Sequence, residues 1–386
     1  MSYSFEESEE LGLLRQTVRK FSESEIAPLA RELDETESFS TDLTRKMGQL
    51  GLFGTIISPK YGGHGMDYLS YIIAVEELAR VDGSQAATIA AHNSLGAGPI
   101  YYYGTEEQKK KYLPSLCDGS SLWGFGLTEP EAGSDAQGSK TMAVFDERTR
   151  EWVINGSKIW ITNSASEMTV GLTVQAVTGR RPDGRAELSC LIVPADAPGL
   201  TRRAMKGKMM WRASNTGELY FDNVRVPQDA LLGKQGEGFK IMMETLDGGR
   251  LSIGAMGLGL AKGALAMTIK YAKERKTFGV PIAQHQAIAF KLADMATRIE
   301  AAEGLLYKAC WLRQNNKPYA KVAAMAKLYC SEVAEFAARE GQQTFGGYGL
   351  MKEYPIERFY RDAALLRIGE GTSEIQRLVI SRYLGC

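Results

Sequence analysis

Apolar residues recur at helical spacing through the first third of the chain. Leu11, Leu14, Val18 and Phe21 follow an i, i+3, i+4 rhythm, as do Ile72, Val75, Leu78 and Ala79. That rhythm predicts helices with one face turned to a core. Breakers interrupt it at Pro59-Lys60-Tyr61-Gly62-Gly63 and between Gly96 and Pro99. From about residue 122 the texture changes to short β-prone runs. Trp152-Val153-Ile154, Lys158-Ile159-Trp160-Ile161, residues 188–193 and Leu219-Tyr220-Phe221 read as strands, with Asn155-Gly156 and Asp183-Gly184 as turns. After Gly238 the helical period returns over 241–273, 287–312, 319–345 and 355–366. The pattern predicts an α+β chain in three parts: helical over 1–121, a β-barrel-like domain over 122–232, and a helical bundle over 233–386.

Composition narrows the class. The 386 residues carry 46 basic and 46 acidic side chains, with 44% hydrophobic and 24% charged content. A balanced charge gives no basic footprint for nucleic acid or an anionic membrane face. No apolar stretch looks close to the roughly 20 residues that span a bilayer. The acidic start, Met1 to Glu10, resembles neither a signal peptide nor a transit peptide, so a bacterial cytoplasmic location is expected. Five scattered cysteines without CxxC spacing and three dispersed histidines (His64, His92, His285) suggest neither a disulfide framework nor a metal site.

Candidate chemistry concentrates in a few stretches. In Gly369-Glu370-Gly371-Thr372-Ser373, two glycines bracket one carboxylate just before a helix start. Flanking glycines strip away bulk, so a reactive carbon can approach the carboxylate as a substrate approaches a general base. A solvated Glu favoured by the helix dipole is the plainer reading. Ser373 and Gln376 have capping-box spacing. Thr128 and Ser134 bring hydroxyls to the turn-rich run 126–135, which suits either an amide-rich ligand or an ordinary turn. Trp160 and Thr162, two apart, share one face if the strand is regular; they suit a flat ligand, or the tryptophan is simply core. Arg275, near a helix end, suits a phosphate or the helix C-terminal dipole. Gly346-Gly347-Tyr348-Gly349 permits close backbone approach but follows no strand, so a Rossmann reading fails.

Together these stretches resemble the acyl-CoA dehydrogenases, over essentially the whole chain. The carriers are residues 127–135, 155–163, 221–227, 246–250, 275–279 and 343–349, with Glu370-Gly371-Thr372, all in family order and spacing. The resemblance implies a helical domain, a β-domain and a four-helix bundle. It implies bound FAD and oxidation of an acyl-CoA to its 2-enoyl-CoA, a carboxylate taking the α-proton while the β-hydrogen leaves as hydride to flavin N5. Glu370 stands at the usual base position. The family's alternative base position is matched by Gly249, which has no carboxylate.

Carried over by resemblance, Phe125, Leu127, Thr128, Trp160 and Thr162 contact the isoalloxazine, and Thr372 and Glu374 also line the FAD site. Arg275, Thr277, Phe278, Gln286, Gln343 and Gly347 hold the pyrophosphate and adenosine, partly across a subunit boundary, which implies a homotetramer. Ser134, Asp247 and Arg250 contact the pantetheine and nucleotide arm of CoA, while Gly369 and Gly371 flank the acyl site. The implied electron acceptor is an electron-transfer flavoprotein. Gly369 departs from the family, where an aromatic or larger residue often precedes the base. It either enlarges the acyl pocket for a branched, cyclic or aromatic group, or serves a positive-φ turn and leaves a linear short-chain substrate. An acyl-CoA oxidase and a catalytically silent flavoprotein subunit are the rival readings.

Overall fold

The structure, a computed structural model, describes residues 8–386; the acidic start through Glu7 lies outside the described residues. Seven helices open the chain: α1 (Glu9–Phe21), α2 (Ala27–Thr36), α3 (Thr41–Gln49), α4 (Tyr68–Ala79), α5 (Gly83–Ala91), α6 (Gly98–Tyr103) and α7 (Glu106–Cys117). Eight strands follow: β1 (Leu122–Gly126), β2 (Met142–Asp146), β3 (Glu151–Thr162), β4 (Thr169–Arg180), β5 (Ala186–Pro194), β6 (Leu200–Ala204), β7 (Thr216–Pro227) and β8 (Leu231–Leu232). Helices α8 (Gly238–Glu274), α9 (Gln286–Gln314), α10 (Ala320–Phe345), α11 (Ile356–Leu366) and α12 (Ser373–Leu384) close it, with a small ribbon of β9 (Lys276–Thr277) and β10 (Val280–Pro281) after α8.

The helices predicted for the last third are all present, within a few residues at each end. The β-region is richer than its apolar runs suggest. Its sheet runs β6-β7-β3-β2-β4-β5-β8, and β1 pairs in parallel with β4. Asp183-Gly184 makes the β4–β5 hairpin, with Gly184 at φ +81. Asn155-Gly156 makes no turn: it lies inside β3, where the register shifts between Ile154 and Gly156 as a bulge. The two runs predicted on either side of it are therefore one twelve-residue strand.

The helical segments at the two ends of the chain share one core. Ile72 and Leu78 belong to the same buried cluster as Leu258, Leu306 and Val333, while Ile154, Leu172 and Val224 form the sheet's own core. The spine of the helical body is α8, at 37 residues. Contrary to the sequence expectation, this helix is long and apolar enough to cross a membrane by length and composition. Most of its apolar stretch lies inside the protein, as the central helix of a bundle does.

One buried carboxylate ties four helices together. Glu76 of α4 is fully buried and meets Arg15 of α1 at 2.8 Å and Lys262 of α8 at 2.7 Å, and it accepts a hydrogen bond from Tyr307 of α9 at 2.7 Å. Removing one partner strands buried charge, which is the costly way to break such a cluster. Glu76→Ala is expected to lose about 3 kcal/mol of stability. The check is a lower urea midpoint at unchanged m-value.

Candidate active site

The loop between α11 and α12 presents Glu370. The Gly369 N–H donates to the Leu365 carbonyl at 2.9 Å, and the Ser373 N–H donates to the Arg367 carbonyl at 2.9 Å. Glu370 itself sits at φ +54 and Gly371 at φ +93. A left-handed glutamate costs roughly 1–2 kcal/mol, so the surroundings must hold it there. They do so with side chains: Gln376 Nε2 donates to the carbonyls of Glu370 (3.3 Å) and Gly371 (2.8 Å), and Lys327 Nζ donates to the Gly371 carbonyl at 2.7 Å. The cap of α12 is Thr372, whose hydroxyl accepts from the Ile375 N–H at 3.3 Å. The capping box expected of Ser373 and Gln376 does not form, because the glutamine amide is drawn back onto the loop carbonyls instead.

The Glu370 carboxylate points inward. Its Oε2 is buried and has no hydrogen-bond partner among the described residues. Burial pushes the carboxyl up to about 7, against the opposing pull of Lys327 and Arg250. Across from it is Gly249, in the first half of α8. A Cβ at that position would lie 1.8 Å from Glu370 Oε2 and 3.1 Å from the Leu95 side chain. The carboxylate therefore occupies the space that any side chain at 249 would take.

Glu370 opens on a cavity of about 390 Å³. Phe125, Leu127, Thr128, Trp160 and Thr162 line it from the sheet. Ser134, Arg250 and the run from Gly369 to Thr372 line it from the other sides. Trp160 is 58% exposed, so it is not a core tryptophan. Nor does it alternate regularly with Thr162: it sits at φ +60, where β3 shifts register between Lys158 and Ile161. Both still reach the cavity. Leu95, Met243 and Leu246 add apolar wall that the sequence reading did not single out.

A second group lines a separate groove of about 560 Å³, holding Arg275, Thr277 and Gly347 beside Tyr348. Thr277 shares a hydrogen bond with His285 at 3.1 Å. Phe278 stands 97% exposed next to His285, and Gln286 and Gln343 are also exposed. One chain does not bring this group and the Glu370 group into one cavity. Asp247 lines neither; it pairs with Arg250, which is only 6% exposed. Glu374 is exposed in the first turn of α12.

Two buried lysines escaped the sequence reading. Lys158 Nζ donates to the Leu127 carbonyl at 3.0 Å and pairs with Glu129 at 2.7 Å, bracing the segment that carries Leu127 and Thr128. Burial lowers the Lys158 ammonium and Glu129 opposes it. Lys327 lies on the buried face of α10 with Ala323, Ala324, Cys330 and Ser331. A lysine in an apolar helical stripe was the available signal.

Family comparison decides the class. The N-terminal, middle and C-terminal domain models of acyl-CoA dehydrogenase match residues 8–120, 124–224 and 236–385. The chain belongs to the acyl-CoA dehydrogenase family. It is 51% identical to a probable acyl-CoA dehydrogenase of Bacillus subtilis, over 99% of both chains. It is 46% identical to a short-chain specific acyl-CoA dehydrogenase of Clostridium acetobutylicum, over 98% of both. Butyryl-CoA dehydrogenase from Megasphaera elsdenii superposes with a TM-score of 0.96 at 41% identity, covering 100% of each chain. This acyl-CoA dehydrogenase takes FAD as its cofactor, and the cavity suits that group. Phe125, Leu127 and the exposed Trp160 give apolar and aromatic walls, and the Thr128 and Thr162 hydroxyls give hydrogen-bonding capacity beside them.

Crowding at Gly249 gives a direct test. The atom in the way is the free end of a flexible side chain, so Gly249→Ala is expected to fold and to retain flavin while pushing the Glu370 carboxylate aside. Misplacement by about 1 Å costs on the order of 10²-fold in rate. Steady-state turnover, with flavin content from the absorbance spectrum, checks it.

Proposed function

We propose that Glu370 is the α-proton base of an acyl-CoA to 2-enoyl-CoA oxidation, and that the acyl group carries bulk near its α- and β-carbons. The observation that carries the first part is the buried, unpartnered Oε2 of Glu370 facing Gly249. A carboxylate with no hydrogen-bond donor on that oxygen is free to accept a proton. Its pKa near 7 matches base strength to working pH. The Glu370 N–H makes no hydrogen bond among the described residues. It is available to a thioester oxygen that gains charge as the α-proton leaves, the kind of donor worth roughly 3–4 kcal/mol of barrier. FAD held by the cavity would supply the acceptor for the β-hydrogen, which leaves as hydride.

The same proposal distributes the binding roles. Phe125, Leu127, Thr128, Trp160, Thr162, Thr372 and Glu374 serve the flavin ring and its chain. Ser134, Asp247 and Arg250 serve the CoA arm. Arg275, Thr277, Phe278, Gln286, Gln343 and Gly347 hold the adenosine and pyrophosphate of a neighbouring subunit's FAD, within a homotetramer. Support comes from the placement of Arg275, Thr277 and Gly347 in a separate groove and from Phe278, an aromatic that its own chain leaves uncovered. Electrons then pass to an electron-transfer flavoprotein, the usual acceptor in the family.

The acyl group is argued from Gly369. Its φ is not positive, so no turn demands glycine there. A Cβ would meet nothing nearer than the Leu365 carbonyl at 3.6 Å, an ordinary contact. A larger residue would fit the backbone, and its absence leaves room in the cavity wall. That favours a branched or cyclic chain. Kinship with short-chain and butyryl-CoA enzymes favours a short linear chain as the second reading.

Glu370→Gln keeps shape and flavin but loses the base, so turnover falls by at least ~10²-fold. In the wild type, kcat/KM rises with pH through an apparent value near 7, because only the ionised carboxylate accepts a proton. A stopped-flow record of flavin bleaching across pH checks both. Secondly, kcat/KM for branched or cyclic acyl-CoA exceeds that for butyryl-CoA, and Gly369→Tyr reverses the order as lost contact is regained by the linear chain. A wild type that prefers the linear chain would overturn the bulky-group reading.

A further inference from the structure

Lys327 is a strange residue for its place. It is fully buried on the helix that packs against the catalytic loop, among alanines, a serine and a cysteine. A buried cation is expensive unless something requires it. Its Nζ reaches the Gly371 carbonyl at 2.7 Å, the residue next to the base. Two helices thereby converge on one carbonyl, since Gln376 of α12 donates to the same oxygen at 2.8 Å. One turn along α10, Ser331 Oγ donates to the Leu366 carbonyl at 2.8 Å and fixes the start of the loop. The left-handed backbone at Glu370 and Gly371 is thus held from both flanks, as strained functional backbone must be.

We propose that Lys327 is a positioning residue for the reaction: it clamps the Gly371 carbonyl and supplies the fixed positive charge in whose field the Glu370 carboxylate works. This rests on the reading of Glu370 as the base. The neutral Gln376 shares the first task and cannot perform the second. The charges that act on the carboxylate are Lys327 on α10 and Arg250 on α8, and the carboxylate in turn acts on the Tyr71 hydroxyl of α4; Arg367 at the end of α11 and Glu374 on α12 act on Lys327. Of the two cations that oppose the burial of Glu370, Arg250 is already paired with Asp247. Lys327 has only the carbonyl, so its charge is the less compensated of the two. Burial lowers Lys327 itself to about 8, and Glu370 opposes that shift, as expected of two groups sharing one field.

The test separates clamp from charge. Lys327→Gln and Lys327→Met remove the charge; the methionine is the safer fold, because it fills the buried space without a polar atom while Gln376 still satisfies the Gly371 carbonyl. Removing a nearby positive charge makes the carboxylate harder to ionise. The acid limb of kcat/KM is therefore expected to move up by about one pH unit, a ten-fold loss on the acid side of the profile. Lys327→Arg restores the limb. Gln376→Leu lowers kcat and leaves the limb in place. An independent readout is the infrared carboxyl band that disappears in Glu370→Gln, which is expected to titrate at higher pH in the neutral Lys327 variants. A neutral variant that folds, binds flavin and titrates like the wild type would overturn the proposal. If Glu370→Gln instead retained turnover, the base reading itself would fall, and the two failures cannot be confused.

Discussion

Glu370 Oε2 in its place and a side chain at position 249 exclude each other, because a Cβ at 249 would lie 1.8 Å from that oxygen. Much of the site follows from this exclusion. The carboxylate reaches α8 only because Glu370 adopts φ +54, and that backbone persists only because Lys327 and Gln376 hold the carbonyls after it. The clamps in turn need α10 and α12 to be fixed relative to α8. The shared helical core does that for α10, with Leu258 of α8 and Val333 of α10 in one cluster, and α12 packs on α10. A buried carboxylate on a loop is thus positioned by the rigid bundle beneath it.

Electrostatics at the site depends on the same burial. Excluding water raises the Glu370 carboxyl toward neutrality, against the pull of Lys327 and Arg250. The protein sets buried cations near the carboxylate but, among the described residues, no hydrogen-bond donor on Oε2. A donor there would favour ionisation too, but it would occupy that oxygen's lone pair. Lys158 and Glu129 show the contrasting arrangement. There the cation touches its carboxylate at 2.7 Å, and the carboxylate also accepts from the backbone N–H groups of Lys140 and Thr141. That pair is saturated and structural, while Glu370 is left unsaturated.

Much of this was legible in the sequence, for definite physical reasons. The helices of the last third were readable because each buries a continuous apolar stripe, and such stripes survive in the chain as a 3.6-residue period. Glu370 stood out because glycines flank it. The β-region was harder. Strands β2 and β6 are only five residues long, the Val- and Thr-rich run of β4 was passed over, and Asn155-Gly156, a turn by composition, is a bulge because β7 pairs with β3 on both sides of it. Trp160 was weighed as core for the same reason: alternation fails where the register shifts, and only the fold shows that its ring stays 58% exposed. Lys158 and Lys327 were missed because a lone lysine reads as surface. Their partners are backbone carbonyls at Leu127 and Gly371, which lie 31 and 44 residues away in sequence.

The division of the predicted site between two cavities is itself informative. Residues meeting at Glu370 come from β1, β3, α8 and the α11–α12 loop, all packed within one chain. Those around Arg275 sit after the end of α8 and after α10, at the far tips of long helices. A 37-residue helix spans on the order of 55 Å at 1.5 Å per residue, and Gly249 lies near its start while Arg275 caps its end. From 249 to 275 the same rise gives roughly 39 Å along a straight helix. A single extended cofactor that touched both groups in one chain would have to follow that length. In the homotetramer proposed above, a second copy would bring its own Arg275 groove to the first copy's Glu370 cavity. Phe278 at 97% exposure and the uncovered apolar residues of α12, Leu378 and Tyr383, lie on surface that such a neighbour could bury.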